Sequence, residues 1–258
     1  MKRTSRILTL LVGLVMTLTL SSSVSFGKVM FKDNFEKDTI GKPPANWEDI
    51  GFPKGYTGGG KSVVDKDPEN PNNKVFHLIP KEHGAGSHDI WAVHAFDESW
   101  TDYVFQWDWL FPEDTYCPVV YRITDLDNYL QLSRRETPNR ILGFPGGMIG
   151  GAWIADSVEI DWINKSNVWY QAQVILEGKH ITIKIKERDD STPMEKVKPL
   201  GEFNDPHYND RKYGGIGGQE GYTGMLDNVI VGETVRDILA VESSGKLTTT
   251  WGNIKTQF

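Results

Sequence analysis

The chain has 258 residues, with 35 acidic side chains against 28 basic ones and a formal charge of −7. That balance argues against nucleic acid or an anionic membrane surface as partner, because both recruit positive charge. A single cysteine, Cys117, excludes an internal disulfide, so stability must come from burial, to which nine Trp, nine Tyr and eleven Phe contribute.

Lys2, Arg3 and Arg6 precede an uncharged apolar run from Ile7 to Leu20, and "SSSVSFG" follows with Ser25 and Gly27 placed for cleavage before Lys28. This is the pattern of a secretory signal peptide over residues 1–27, too short for a comfortable membrane span. The expectation is an exported protein, periplasmic or extracellular, whose formal charge falls to about −10 once the three basic residues leave. No later segment approaches the length of a membrane span.

From Val29 onward, alternating or apolar runs recur between clusters of Gly, Pro, Asn and Asp, and few windows show helical spacing. "VMFKDNF" opens the series. Residues 55–62, "GYTGGGKS", then match the phosphate-loop spacing of glycine, four residues, glycine, lysine and serine. That chemistry needs a buried strand before the loop and a helix after it, so that backbone N–H groups and the helix N-terminus hold the phosphates. "WEDIGFPK" is no buried strand, and Pro68 and Pro71 forbid a helix interior. The segment reads as a flexible loop, and no nucleotide is expected.

"KVFHLIP", "IWAVHAF", "DYVFQWDWLF", "PVVYRITD", "NYLQLSR", "SVEIDWI", "WYQAQVILEG", "HITIKIKE", "YGGIGGQ" and "LDNVIVG" follow as predicted strands. So many strands without an intervening helix predict an all-β fold, a two-sheet antiparallel β-sandwich (jelly roll) over 28–232. Alternation puts Tyr103, Phe105, Trp107, Trp109 and Phe111 on one strand face and Gln106 and Asp108 on the other. By the same parity Arg122 points away from the core, either solvated, paired with Asp108 or Asp161, or binding ligand. Residues 233–258 lose the alternation. Leu247, Trp251, Ile254 and Phe258 fall at helical spacing, which suits a short amphipathic C-terminal segment.

His77, His83, His88 and His94 cluster in sequence, but His88 and His94 at opposite ends of a strand stand about 20 Å apart and cannot share one ion. Cys117 beside Pro118 reads as a small buried hydrophobe.

Four segments in order, "FKDNFEKDTIGKPPANW", "PVVYRITDLDNYLQL", "WYQAQVILEGKHITIKI" and "GGIGGQEGYTGMLDNVIV", resemble the concanavalin A-like lectin/glucanase superfamily of jelly rolls, including its laminin-G-like and 3-keto-disaccharide-hydrolase-type branches. The resemblance spans nearly all of 31–232 and implies a carbohydrate-linked role with sugar held on a concave sheet. It also implies a candidate structural Ca²⁺ where the terminal strands meet, with Asp33 and Asp227 as ligands, although calcium wants six to eight oxygens.

"EIDWIN" at 159–164 begins like the laminarinase-type E-x-D-x-x-E strand. Glu159 and Asp161 match its first two acids, while Asn164 stands where the acid/base glutamate belongs. Glu159 and Asp161 are therefore the candidate catalytic carboxylates only if some other acid–base chemistry operates. The leading expectation is glycan binding without reaction, through Gln106, Asp108, Arg122, Gln131, Glu159 and Asp161, with a tryptophan such as Trp162 stacking on a sugar ring. The alternatives are a glycoside-cleaving enzyme of the 3-keto-disaccharide-hydrolase type and a structural extracellular domain. A polysaccharide or glycan is the expected partner, with no cofactor beyond that calcium.

Overall fold

The computed structural model describes residues 28–81, 88–112, 117–135, 140–142, 147–154, 159–163, 165–221 and 223–239. The leader at 1–27 and the helix expected at 247–258 lie outside the described residues. Seventeen strands run in chain order: β1 (Val29–Asp33), β2 (Glu48–Asp49), β3 (Val63–Lys66), β4 (Lys74–Leu78), β5 (Ile90–Val93), β6 (Tyr103–Leu110), β7 (Pro118–Asp125), β8 (Asn128–Arg135) and β9 (Arg140–Leu142). They continue with β10 (Gly147–Ile149), β11 (Ala152–Ile154), β12 (Glu159–Ile163), β13 (Trp169–Glu177), β14 (His180–Glu187), β15 (Gly201–Asn204), β16 (Ile216–Gln219) and β17 (Gly224–Gly232). A single 3-10 turn, Met194–Lys196, interrupts the described strands, and residues 235–239 form one helical turn. No helix among the described residues is long and apolar enough to cross a membrane.

The strands form two antiparallel sheets, as the alternation predicts. The eight-stranded sheet runs β15-β14-β13-β6-β17-β4-β3, with β1 also on β17. The nine-stranded sheet runs β11-β10-β8-β7-β16-β5-β2, with β9 and β12 extending it from β8. The core lies between them. Tyr103, Phe105, Trp107 and Trp109 alternate inward along β6 and join Val119 and Tyr121 of β7 and Leu130 and Leu132 of β8 in one buried cluster. Phe105 and Trp107 stack at 4.3 Å, and Trp109 packs on Phe111 at 4.6 Å. Cys117 is buried, as its apolar setting suggests, and its sulfur accepts from Trp109 Nε1 at 3.5 Å.

β17 joins the two halves of its sheet. One edge pairs with β6, while the other pairs with β4 through Gly224–Leu226 and with β1 through Val229–Gly232. The change of partner falls at Asn228, whose φ of 47° is left-handed, and the register to β6 shifts between Asp227 and Ile230. A bulge of this kind bends a strand and reorients the residues beside it.

Arg122 does not point outward. It too has a left-handed backbone, φ 50°, inside a register shift of β7, so Val120 and Ile123 face outward while Arg122 turns in with no exposed surface. Its N–H donates to the Tyr103 hydroxyl at 2.9 Å, and its guanidinium donates to Thr101 O at 3.1 Å and Asp102 Oδ1 at 3.2 Å. The Tyr208 ring lies 5.0 Å beneath it. Strict period-2 counting fails here because a bulge adds a residue and inverts every face beyond it.

A second buried arginine closes the same end of the sandwich. Arg211 donates to both Asp205 oxygens at 3.0 and 3.2 Å and to Tyr129 O at 3.3 Å, and neither partner in the pair has exposed side chain. Removing one member would leave a desolvated charge alone. Asp205→Ala is expected to cost about 3–5 kcal/mol, read as a fall in the urea midpoint. An unchanged midpoint would show that the guanidinium does not depend on this carboxylate.

Candidate functional site

The expected site residues do not gather on one face. Gln106 and Asp108 lie on the outer face of the eight-stranded sheet, as parity predicts, but both are buried rather than solvated. Gln173 Nε2 donates to Gln106 Oε1 at 2.9 Å, and Lys184 Nζ donates to Met194 O at 3.3 Å, which ties the 3-10 turn over this face. Gln131 belongs to the other sheet. It sits between the inward Leu130 and Leu132 and therefore faces out, beside Tyr129. Trp162 is half-buried and turned inward, edge-on to Tyr170 at 4.8 Å. Glu159 and Asp161 lie on β12, but their side chains fall outside the described residues.

Asp33 and Asp227 are also separated. Asp33 Oδ2 accepts from the core residue Trp47 (Nε1, 3.2 Å), and Asp33 Oδ1 accepts from Phe35 N at 2.9 Å. Asp227 lies on the opposite, outer face, accepting from Asn73 Nδ2 at 2.9 Å and Asn228 N at 2.7 Å. The two carboxylates cannot bind one Ca²⁺. Among the described residues no group of three His, Cys, Asp or Glu side chains is placed to hold a metal ion.

Among the described residues, one surface that could receive a ligand lies at the rim of the nine-stranded sheet. Its outer face carries a buried apolar patch of Ile90, Ala92, Val120, Ile123, Tyr129 and Met148, against which Ile50, Ala95 and Leu126 pack. Phe96 stands at the edge of that patch with 44 % of its surface exposed. Its φ of 63° projects it from the strand end, and its N–H is fixed to Ile123 O at 2.8 Å. A cleft opens on each side of it. One, of about 400 Å³, is lined by Glu48, Asp49, Ile50, Ala92, His94 and Ala95. The other, of about 440 Å³, is lined by Asp125, Leu126, Asp127, Asn128 and Gly150.

The polar groups of the second cleft are held in place. Asp125 Oδ1 accepts from Asp127 N at 2.7 Å and from Asn128 Nδ2 at 2.9 Å, while Asn128 Oδ1 accepts from Gly150 N at 2.9 Å. Asp127 Oδ1 accepts from Lys54 N at 3.2 Å, which ties in the neighbouring loop. Each carboxylate has about four acceptor sites, so lone pairs remain for ligand hydroxyls. In the first cleft, His94 stacks on Trp100 at 4.6 Å and lies 3.3 Å from Asp97 Oδ2. Asp125, Asp127 and Asn128 fall in the run "TDLDN", which marks a turn and not a site. Phe96 sits in a run that reads as strand, and its left-handed backbone is invisible to alternation.

The glycine-rich 55–62 segment has its own anion. Gly59 N and Gly60 N donate to Asp89 Oδ2 at 2.5 and 3.0 Å, and Ser62 Oγ donates to Glu220 Oε1. A Cβ at Gly60 would fall 1.4 Å from Glu220 Oε2, so glycine is required there for close approach of a protein carboxylate. Trp91 Nε1 holds the same Glu220 at 3.0 Å. The phosphate-loop spacing thus serves an internal cradle for Asp89 and Glu220, and the N–H groups that would meet a phosphate are already engaged.

No family model matches the chain, and no curated protein matches it. Solved structures do. The carbohydrate-binding module CBM66 from Bacillus subtilis is 14% identical at a TM-score of 0.46, covering 72% of this chain and 95% of its own. Domain 4 of AbnA, a GH43 extracellular arabinanase from Geobacillus stearothermophilus, in complex with arabinotriose, is 12% identical at 0.45 and covers 81% and 94%. The galectin LEC-6 from Caenorhabditis elegans is 14% identical at 0.40 and covers 58% and 94%. The likeness is one of fold. Scores and identities this low transfer neither ligand nor site residues to this chain.

Asp89 is the group on which the 55–62 loop depends. Asp89→Ala is expected to lower stability by about 1–3 kcal/mol and to speed amide exchange at Gly59 and Gly60 first. Unaltered exchange there would show that the carboxylate does not organise the loop.

Proposed function

We propose that this chain is an exported glycan-binding β-sandwich whose site is the pair of clefts beside Phe96, and that it binds without performing a reaction. The exposed ring between two clefts of fixed acceptors carries the reading. A pyranose offers an apolar C–H face and a rim of hydroxyl donors, so it matches an aromatic plane flanked by Asp and Asn side chains. Cavities of this size suit one or two sugar rings each. The leader pattern over 1–27 supports export, the setting in which a polysaccharide would be met.

The lining also chooses among glycans. Glu48, Asp49, Asp125 and Asp127 line the two clefts, with neither Lys nor Arg among the lining residues. Uronate or sulfated chains would meet like charge, so neutral or amino sugars are the favoured class.

A glycan array of the chain, beside Phe96→Ala and Asp127→Asn, tests this. Wild type should select neutral or amino-sugar oligosaccharides, and each variant should bind on the order of tenfold more weakly while melting normally. Undiminished binding by both variants would move the site elsewhere, and a blank array would leave a structural role.

A further inference from the structure

We infer that the glycan is a linear chain of several sugars, because the rim site continues past its two clefts onto the rings of Phe52 and Tyr56. This rests on the reading of the Phe96 clefts as a sugar site and extends it into a track along β5. Among the described residues four large hydrophobic side chains are exposed, Ile40, Phe52, Tyr56 and Phe96. A single exposed ring is ordinary surface, whereas three aromatic rings along one rim make a contact face. Phe52 and Tyr56 keep 41% and 37% of their surface in solvent.

The backbone brings both rings beside the clefts. β2 pairs with β5 so that Glu48 lies opposite Ala92, and Ile50 N extends the pairing by donating to Ile90 O at 3.0 Å. Ile90 N donates in turn to Gly51 O at 2.8 Å, which carries the chain to the start of β5. Gly51 has a φ of 92° and lies against Leu126, since a Cβ there would stand 3.7 Å from Leu126 Cδ1. Leu126 lines the second cleft together with Phe96. Phe52 follows directly, one residue from that contact.

Both rings are held rather than loose. Phe52 packs on Gly58, where a Cβ would fall 2.5 Å from Phe52 Cδ1, so a larger residue would displace the ring. Tyr56 N donates to Pro53 O at 3.1 Å across Lys54 and Gly55, and the Gly55 φ of 88° is what a type II turn requires at that position. Asp127 anchors this turn from the second cleft by accepting from Lys54 N at 3.2 Å. The Tyr56 ring meets His88 edge-on at 4.3 Å, and His88 N donates to Thr57 O at 2.9 Å. A ring already fixed while exposed loses little freedom when a ligand covers it.

The spacing sets the length of the ligand. His88 precedes β5 and Phe96 follows it, so the strand separates the Tyr56 end of the track from Phe96 by on the order of 20 Å. A terminal sugar seated in one cleft would leave Phe52 and Tyr56 uncovered. Lys54 adds one cation to the track, but with Glu48, Asp49, Asp125 and Asp127 the lining stays net acidic and still favours a chain without anionic groups. Successive sugars present apolar faces and hydroxyl rims in turn, which matches rings set along a line with carboxylates between them.

The test is calorimetric titration of the full chain with linear gluco-, xylo-, arabino- and chito-oligosaccharides graded from disaccharide to hexasaccharide, with Phe52→Ala and Tyr56→Ala beside wild type. In at least one series wild-type affinity should rise at least about tenfold with length, and each variant should cut that gain to about threefold or less. If a variant fails to fold, the wild type still decides: backbone amides at 52–57 should shift with the hexasaccharide well beyond their response to the disaccharide. Binding that does not grow with length, or amides at 52–57 silent to the hexasaccharide, would confine the ligand to the Phe96 clefts and overturn the track alone. No binding in any series would remove the glycan reading itself, and the track with it.

Discussion

The pairing of β17 with three strands is the constraint on which the sandwich depends. β6 alone occupies one edge, and the other edge is divided between β4 and β1 at the Asn228 bulge. That arrangement brings the start of the described chain and its last long strand into one sheet, and it sets the inward row of Leu226, Val229 and Val231 against the aromatic face of β6. With no disulfide to constrain the unfolded chain, the sheet seam and the aromatic core must supply what a cross-link would. The same bulge turns Asp227 and Asn228 outward beside Asp108, where the Asn228 amide donates to both carboxylates.

The two outer faces have different characters. That of the eight-stranded sheet is polar but closed, with Gln173 donating to Gln106 and Lys184 holding the turn at Met194 over it. Among the described residues, that of the nine-stranded sheet is apolar in the middle and opens at its rim, where strand ends and turns leave Phe96 beside fixed acceptors. Loops on a rigid sheet are where binding groups most readily accumulate, since the sheet fixes their bases while their tips remain free to vary. A shallow, acidic, aromatic-centred rim suits a ligand that presents many hydroxyls and no strong charge.

Much of this was legible in the sequence where the physics is periodic. Every long strand coincides with an alternating run, and β7 and β14 begin and end where "PVVYRITD" and "HITIKIKE" do. The inward row from Tyr103 to Phe111 is also as parity sorts it. What escaped is short or irregular. β2, β9, β10 and β11 have two or three residues each and too few positions to show a period. Arg122 was misplaced because a bulge has no compositional signature when the left-handed residue is not glycine. The polar residues assigned together, Gln106 with Gln131 and Arg122, fell on two sheets and an interior, because parity gives a face but not which sheet the face belongs to. The residues of the proposed rim site are hard to read for a related reason: Phe96, Asp127 and Glu48 are distant in sequence and come near one another at the β5–β7 end of the sandwich. Asp89 and Glu220, which occupy the glycine cradle, were hidden in the same way.

The central claim is that ligand meets the rim of the nine-stranded sheet and not the polar face of the other. Backbone amide mapping by NMR, during titration with neutral and amino-sugar oligosaccharides, addresses it most directly. Shifts concentrated at 48–50, 92–96 and 125–128, with β13 and β14 silent, are the predicted result. Shifts concentrated around Gln106, Gln173 and Lys184 would contradict it and return the site to the closed face.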